Sequence, residues 1–149
     1  MELRKTLLDL CHAYADARIQ AAREAMQQAQ QAANMEEKSS AGDKYETGRA
    51  MAQLEKEKAA VQLLEGNKLK EALSKINPEA STPKVSLGSV VITDKGNYYL
   101  AIGAGKLKVE EKEFLALSPA SPLGMQLSGR SVGDKITFQG NAIAIISVI

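Results

Sequence analysis

The chain has 149 residues, enough for one ordinary domain or two small ones, and a formal net charge of +1 from 19 basic and 18 acidic residues. Divided at Asn77, the first part holds 12 basic and 12 acidic residues, and the remainder holds 7 and 6. Neither part has the basic excess that unaided binding to duplex nucleic acid requires, so we expect DNA or RNA to be reached only through another protein.

The cysteine content and the apolar runs suggest where the protein works. Cys11 is the single cysteine, which excludes an internal disulfide framework, and its apolar surroundings predict a small buried side chain rather than a reactive thiol. No apolar run approaches the about 18 residues that span a bilayer, and the first residues lack the apolar core of a signal peptide. We expect a soluble, cytoplasmic protein.

The first 77 residues have the composition of two long helices. Residues 1–41 contain no glycine or proline, and residues 50–76 form a second helix-favouring run interrupted only by Gly66. This pattern predicts an antiparallel coiled-coil hairpin over residues 1–77, with its tip at 39–49 and arms on the order of 50 Å long. A long parallel dimer is the alternative, because heptad spacing alone does not determine topology.

Apolar residues recur at three- and four-residue steps along both predicted arms and define a seam. On the first arm the seam is Leu3, Leu7, Leu10, Tyr14, Ala17 and Ala21, followed by a stripe of Ala22, Ala25, Ala29 and Ala32. On the returning arm it is Met51, Leu54, Val61, Leu64, Leu69, Leu73 and Ile76. If residue i faces about residue 79 minus i, Leu10 lies near Leu69.

A second domain is predicted after a short linker. Residues 78–83 contain Pro78 and Pro83, which end the helix and stiffen the linker, and residues 84–149 are rich in β-branched residues and glycine. We expect a compact, antiparallel β domain with one short helix, which makes the whole chain α+β. Its predicted elements are strands at 85–93, 97–102, 112–117, 135–139 and 142–148, a turn at 94–96, a helix at 121–127 capped by Ser121, and a final turn at Gly140-Asn141. The Gly103–Gly105 pattern predicts a turn, since it lacks the third glycine of a phosphate-binding loop.

Asp43 and Glu46, at the predicted tip, are the residues with the clearest chemical potential. They have two interpretations. Asp43 as N-cap and Glu46 three residues later resemble a capping box that starts the returning helix. Alternatively, two carboxylates on one exposed turn could ligate a hard cation such as Mg²⁺, with the other ligands supplied by water or by a partner.

Two segments have distinctive sequences: G-D-K-Y-E-T-G-R-A from Gly42 to Ala50, and S-P-L-G-M-Q-L-S-G-R-S-V-G-D at residues 121–134. Both resemble segments of the bacterial Gre-type transcript cleavage factors. The first is similar to the family's tip motif G-D-x-x-E-N-x-E-Y, from which Thr47, Arg49 and Ala50 depart, and the second is similar to the family's S-P-[LI]-x-x-x-L-x-G-[KR]-x-x-G-D. The resemblance implies a coiled-coil finger followed by an FKBP-like domain.

The resemblance also implies a function. The C-terminal domain would dock on RNA polymerase, with Ser121, Pro122 and Leu123 at the contact, and the finger would enter the secondary channel. Asp43 and Glu46 would act catalytically there by helping to hold the second Mg²⁺ of the polymerase, which would then cleave backtracked RNA. The protein would therefore be a monomeric cofactor of polymerase, meeting the RNA 3′ end and DNA only within the elongation complex, and would not itself be an enzyme.

Two other functions remain as alternatives. Some members of the family bind the same channel and inhibit, and a plain coiled-coil interaction module would need no metal. Prolyl isomerase activity is not expected, because the aromatic-lined pocket of FKBP domains contrasts with a C-terminal region whose only aromatic residues are Tyr98, Tyr99, Phe114 and Phe138.

Overall fold

The structure is a computed structural model that describes residues 2–37 and 42–149, with the backbone alone at 36–37 and 42–45. It is α+β: two long helices precede a six-stranded mixed sheet, and one short helix lies in the connection between the fourth and fifth strands. The elements are α1 (Glu2–Glu37), α2 (Gly42–Ser74), β1 (Val90–Thr93), β2 (Asn97–Leu100), β3 (Gly105–Val109), β4 (Lys112–Leu117), α3 (Pro122–Leu127), β5 (Lys135–Phe138) and β6 (Asn141–Val148). Over these described residues, neither long helix has a stretch apolar enough to cross a membrane.

The chain forms two compact units. One, here called the sheet unit, combines Met1–Tyr14 with Glu71–Ile149, and the other, the helical unit, is Ala15–Lys70. The first turns of α1 and the end of α2 thus belong with the sheet. The predicted linker at 78–83 lies inside the sheet unit, where the Arg4 guanidinium donates a hydrogen bond to the Ala80 carbonyl.

The sheet has the strand order β3-β4-β2-β1-β6-β5 and is mixed, so the prediction of an antiparallel sheet was wrong at one pairing. β2 and β4 run parallel, with Leu100 opposite Leu117, whereas the other neighbours are antiparallel. The cause is β3, which was predicted only as a break. β3 forms a hairpin with β4 and lies outside it, so β4 returns beside β2 in the parallel direction.

Four strand bounds and one turn differ from the sequence prediction. β2 ends at Leu100 rather than at 102, β5 ends at Phe138 rather than at 139, and β6 begins at Asn141 rather than at 142. The first strand begins at Val90 rather than at residue 85, because Gly88 takes φ +90° and the backbone turns between Ser86 and Ser89. The last hairpin turns at Gln139–Gly140, one residue earlier than predicted. The helix prediction is confirmed: Ser121 caps α3, and Pro122 is its first residue.

Both faces of the sheet are covered within the sheet unit. Val90, Tyr99 and Ala116 lie opposite one another on adjacent strands and are all buried. Near them, Cys11 of α1 forms a backbone hydrogen bond at Ile102. On the other face, α3 completes a core formed by the following residues: Val85, Val91, Leu100, Leu117, Leu127, Ile136, Ile143 and Ile145. These contacts bury many of the large apolar side chains of this unit, whereas the following remain exposed: Leu87, Leu115, Met125, Val132 and Ile146.

The helical unit is packed through small residues spaced seven apart. The buried residues of α1 here are Ala15, Ala22 and Ala29, and those of α2 are Ala52, Ala59 and Gly66. The predicted alanine stripe is therefore confirmed at Ala22 and Ala29, whereas Ala25 is half-buried and Ala32 is exposed.

Most of the predicted seam in this unit was wrong. Leu69 is half-buried, but the following residues are exposed: Ala17, Ala21, Met51, Leu54, Val61 and Leu64. Three-and-four spacing selected larger side chains on α2, but small residues allow two helix backbones to approach more closely, and that face is the one buried. Leu73 and Ile76, in the sheet unit, are buried as predicted.

Three side-chain contacts join α1 and α2 in the helical unit. Asp16 forms a salt bridge of 3.0 Å with Lys70, Gln30 accepts a 3.0 Å hydrogen bond from Lys56, and Ile19 abuts Gly66. Positions rise along α1 as they fall along α2, with residue i facing about 86 minus i. The predicted register of 79 minus i was therefore about one heptad off, a shift that the heptad pattern itself cannot detect.

Candidate functional site

The two residues of the predicted tip, Asp43 and Glu46, lie near the start of α2. The helix begins at Gly42, which puts Asp43 inside the first turn rather than at the N-cap position that the capping interpretation required. Residues 39–41 of the predicted tip, and the side chain of Asp43, lie outside the described residues. Glu46 is exposed, and its position one turn into the helix gives it a favourable interaction with the positive end of the helix dipole.

The described residues do not form a metal centre by themselves. Among them, no three His, Cys, Asp or Glu side chains come together as a metal would need. Mg²⁺ demands six oxygen ligands in near-octahedral geometry, and Asp43 with Glu46 could provide two or, if bidentate, a few more. These residues fit a Mg²⁺ ion only as part of a site that a partner completes.

The second predicted contact, Ser121-Pro122-Leu123, starts α3. The Ser121 hydroxyl accepts a hydrogen bond of 3.1 Å from the Gly124 amide and donates one of 2.6 Å to the Ser118 carbonyl. Leu123 is half-buried and packs on the core, whereas Pro122 is exposed. Of the three predicted residues, only Pro122 is therefore well placed to contact a partner; Ser121 and Leu123 hold the helix in position.

The buried Gly124 explains the order S-P-L-G at the start of α3. The glycine is buried, and a Cβ there would overlap the Ser118 carbonyl oxygen and crowd the Ser121 hydroxyl. A side chain at this position would push α3 off the loop that precedes it. The S-P-L-G order therefore serves a close approach of helix and loop.

The groove beside α3 contains residues that sequence reasoning missed. It has a volume of about 570 Å³ and is lined by Pro122, Met125, Gln126, Ser128, Gly129, Arg130, Asp134 and Phe138. The Met125 side chain is 64% exposed there. The exposure of Met125 could have been predicted from the sequence. Leu123 and Leu127 are four residues apart and face the core, so Met125 between them must face outward. An exposed methionine beside an arginine and an aspartate is an adaptable contact surface.

Three polar side chains are buried in the sheet unit: Arg4 and Cys11 of α1 and Tyr99 of β2. Cys11 and Tyr99 are fully buried, and Arg4 is 4% exposed. Within the described part of the chain, the Arg4 Nε and the Tyr99 hydroxyl have no hydrogen-bond partner. Burial raises the pKa of the Cys11 thiol to about 11, partly opposed by the backbone hydrogen bond at Ile102, which makes the thiol unreactive near neutral pH. Burial also raises the pKa of Tyr99.

No protein-family model matches the chain, and a search of curated proteins finds no match.

Proposed function

We propose that this chain is a transcription elongation factor that binds RNA polymerase and stimulates cleavage of backtracked RNA. In this proposal, α1 and α2 form an antiparallel coiled-coil finger that enters the secondary channel. The sheet unit acts as an FKBP-like docking domain. The observation that carries the proposal is the placement of Asp43 and exposed Glu46 near the start of α2, where one long helix gives way to the next. That is where a finger would present carboxylates to a partner.

The chain's own part in the reaction would be to bind and orient. Asp43 and Glu46 would hold the polymerase's second Mg²⁺ from one side. When bound, that ion activates water and stabilises the charge that develops in phosphodiester cleavage. The groove beside α3, with Pro122 and Met125 exposed, would hold the factor on the polymerase surface. Fixing the carboxylates on a helix rather than on a free loop limits the motion that weak metal binding would otherwise permit.

A second version, in which the protein occupies the channel without stimulating cleavage, is favoured by one observation. Arg49 is exposed and lies three residues after Glu46, so the two side chains are neighbours on the helix surface. In the motif of the cleavage factors this position is acidic. A positive charge there opposes binding of a cation and would leave the protein as an inhibitor.

The test uses purified polymerase stalled in backtracked complexes with labelled RNA. Asp43→Asn and Glu46→Gln remove the charge of each carboxylate while keeping its size. We expect both variants to bind polymerase and melt within about 1 kcal/mol of the parent, since only a helix-dipole interaction is lost, yet to release almost no RNA fragment. Calorimetry should show negligible Mg²⁺ binding by the free protein.

Arg49→Glu separates the two versions. If the parent stimulates cleavage, this variant should do so more strongly. If the parent inhibits, it should acquire cleavage, and Glu46→Gln should remove that gain. Failure of the parent to bind polymerase, full cleavage by both neutral variants, or tight Mg²⁺ binding by the free chain would contradict the proposal.

A further inference from the structure

The outer side of α2 carries exposed apolar residues that the alanine packing leaves uncovered. Met51, Leu54, Val61 and Leu64, here called the α2 stripe, are 56%, 60%, 56% and 56% exposed. At about 100° per residue they fall within about 140° of one another around the helix axis. Ala52, Ala59 and Gly66 face the opposite way, toward α1. Single exposed apolar residues are ordinary, but four on one face of one helix indicate a surface that another molecule covers.

Charges of both signs lie within the arc of the α2 stripe. At about 100° per residue, Glu57 and Lys68 lie on one side of the line through Leu54 and Val61, and Lys58 and Glu65 lie on the other side. Lys58, Glu65 and Lys68 make no ion pair or hydrogen bond with any other described residue, whereas Glu57 accepts only a 3.3 Å hydrogen bond from Gln53. The charges are therefore available to a partner.

We propose that the partner is a second copy of this chain, bound through α2 against α2. An interface between two identical copies must be complementary to itself. In an antiparallel pair centred near residue 62, Lys58 meets Glu65 of the other copy and Glu57 meets Lys68. In a parallel pair, Glu57 meets Lys58 and Glu65 comes near Lys68. Opposite charges face each other in either direction. Val61 lies near the centre of the contact in both arrangements, and Leu54 meets its counterpart in the parallel one.

The small size of the surface makes this association weak. Stable interfaces involve about 20–30 residues a side, whereas the α2 stripe and its flanking charges number eight. We expect a dimer with a dissociation constant in the micromolar to millimolar range, so that the monomer predominates in dilute solution. The inference does not depend on the proposed function, since it uses only α2 and a second copy.

The experiment is sedimentation equilibrium of the full chain over a wide concentration range. The parent should change from monomer to dimer, and the dimer should weaken as salt is raised. Lys58→Glu with Lys68→Glu makes all four flanking positions acidic, and Glu57→Lys with Glu65→Lys makes all four basic. Each variant alone should remain monomeric, and an equal mixture of the two should form a dimer at least as tight as the parent's.

Matched controls locate the interface. Leu54→Gln should weaken the dimer about tenfold, while Met125→Gln, an equally exposed position in the sheet unit, should leave it unchanged. Lys106→Glu with Lys108→Glu makes the same charge change as the acidic variant, on β3, and should dimerise like the parent. A parent that stays monomeric at millimolar concentration, species larger than dimers, or oppositely charged variants that fail to associate would each overturn the proposal.

Discussion

The sheet unit and the helical unit are stabilised by different kinds of contact. The largest fully buried side chains, among them Tyr99, Phe114 and Leu127, all belong to the sheet unit. The helical unit buries chiefly alanines and a glycine, such as Ala22, Ala59 and Gly66. Because hydrophobic stabilisation grows with the apolar area removed from water, the first unit should contribute most of the stability. The second gains little from burial and depends on the close fit of two helices.

The largest expected effect tests where that stability lies. Phe114→Ala removes a side chain that is 1% exposed and should lower the free energy of unfolding by about 3–5 kcal/mol. Leu64→Ala, at 56% exposure in the helical unit, should change it by no more than about 0.5 kcal/mol. Urea denaturation of dilute protein gives both values. Similar losses for the two variants would mean that the α2 stripe is buried in the monomer.

The next largest effect is a loss of stability at alkaline pH, which arises in the sheet unit. The folded pKa of Cys11 is about 11, against an ordinary value of 9.0, so between these pH values the unfolded chain releases a proton that the folded chain retains. Ionisation of Cys11 therefore leaves stability unchanged below pH 9, and stability falls as pH rises from 9 to 11, by about 1.4 kcal/mol per pH unit and on the order of 2–3 kcal/mol in total.

Thermal melts at successive pH values measure this loss. Cys11→Ala should lower stability at pH 7 through a small cavity but should flatten the decline above pH 9. The raised pKa of Tyr99 acts in the same direction at higher pH. An equally steep decline in Cys11→Ala would show that the thiol is not the group responsible.

A smaller effect tests the close packing of α1 against α2 in the helical unit. The effect of Gly66→Ala on stability should change sign when the Ile19 side chain is shortened. A Cβ added at Gly66 would lie 2.6 Å from the Ile19 Cγ1 atom. Gly66→Ala should therefore destabilise by about 1 kcal/mol, although alanine favours a helix over glycine by about the same amount. In an Ile19→Ala background the contact is absent, and Gly66→Ala should stabilise by about 1 kcal/mol. Circular dichroism melts of the four proteins complete the cycle, and additive effects would contradict the proposed contact.

The smallest expected effect lies in the turn between β3 and β4. Glu110 and Glu111 take φ values of 50° and 70°, a left-handed conformation that costs glutamate energy and suits Asn-Gly. Glu110→Asn with Glu111→Gly should stabilise the sheet unit by about 0.5–1 kcal/mol in urea denaturation. At the β5–β6 turn the second position is already Gly140, so Gln139→Asn should gain less. A loss of stability in the double variant would exclude strain in this turn.

This glutamate pair also shows why part of the sheet could not be predicted. Its turn lacks the residues that ordinarily mark a hairpin, so β3 was not recognised, and without β3 the parallel pairing of β2 with β4 could not be foreseen. Where ordinary turn and capping residues are present, prediction succeeded. Ser121-Pro122 predicted the start of α3, and the last hairpin was predicted to within one residue.

The helices show a different limit. The sequence predicted two long helices and the alanine stripe, because both follow from composition and spacing. It did not predict which face of α2 is buried, since the large residues Met51 and Leu54 satisfy the same spacing as the small ones that lie inside. At the tip, Asp43 and Glu46 could be named from their spacing. A metal role would depend on ligands from another molecule, and the function of these residues stays a prediction.

The unpaired edge of the sheet has a consequence for the behaviour of the protein in concentrated solution. β3 lies at one end of the strand order, and its Lys106 and Lys108 are exposed. An edge strand with free backbone groups can recruit strands from other chains and grow into aggregates. If the β3 strand of another copy paired with this edge, lysines would lie next to lysines, and their repulsion opposes that growth. The two lysines thus disfavour edge-to-edge pairing of β3 between copies and the amyloid-like stacking that could follow from it.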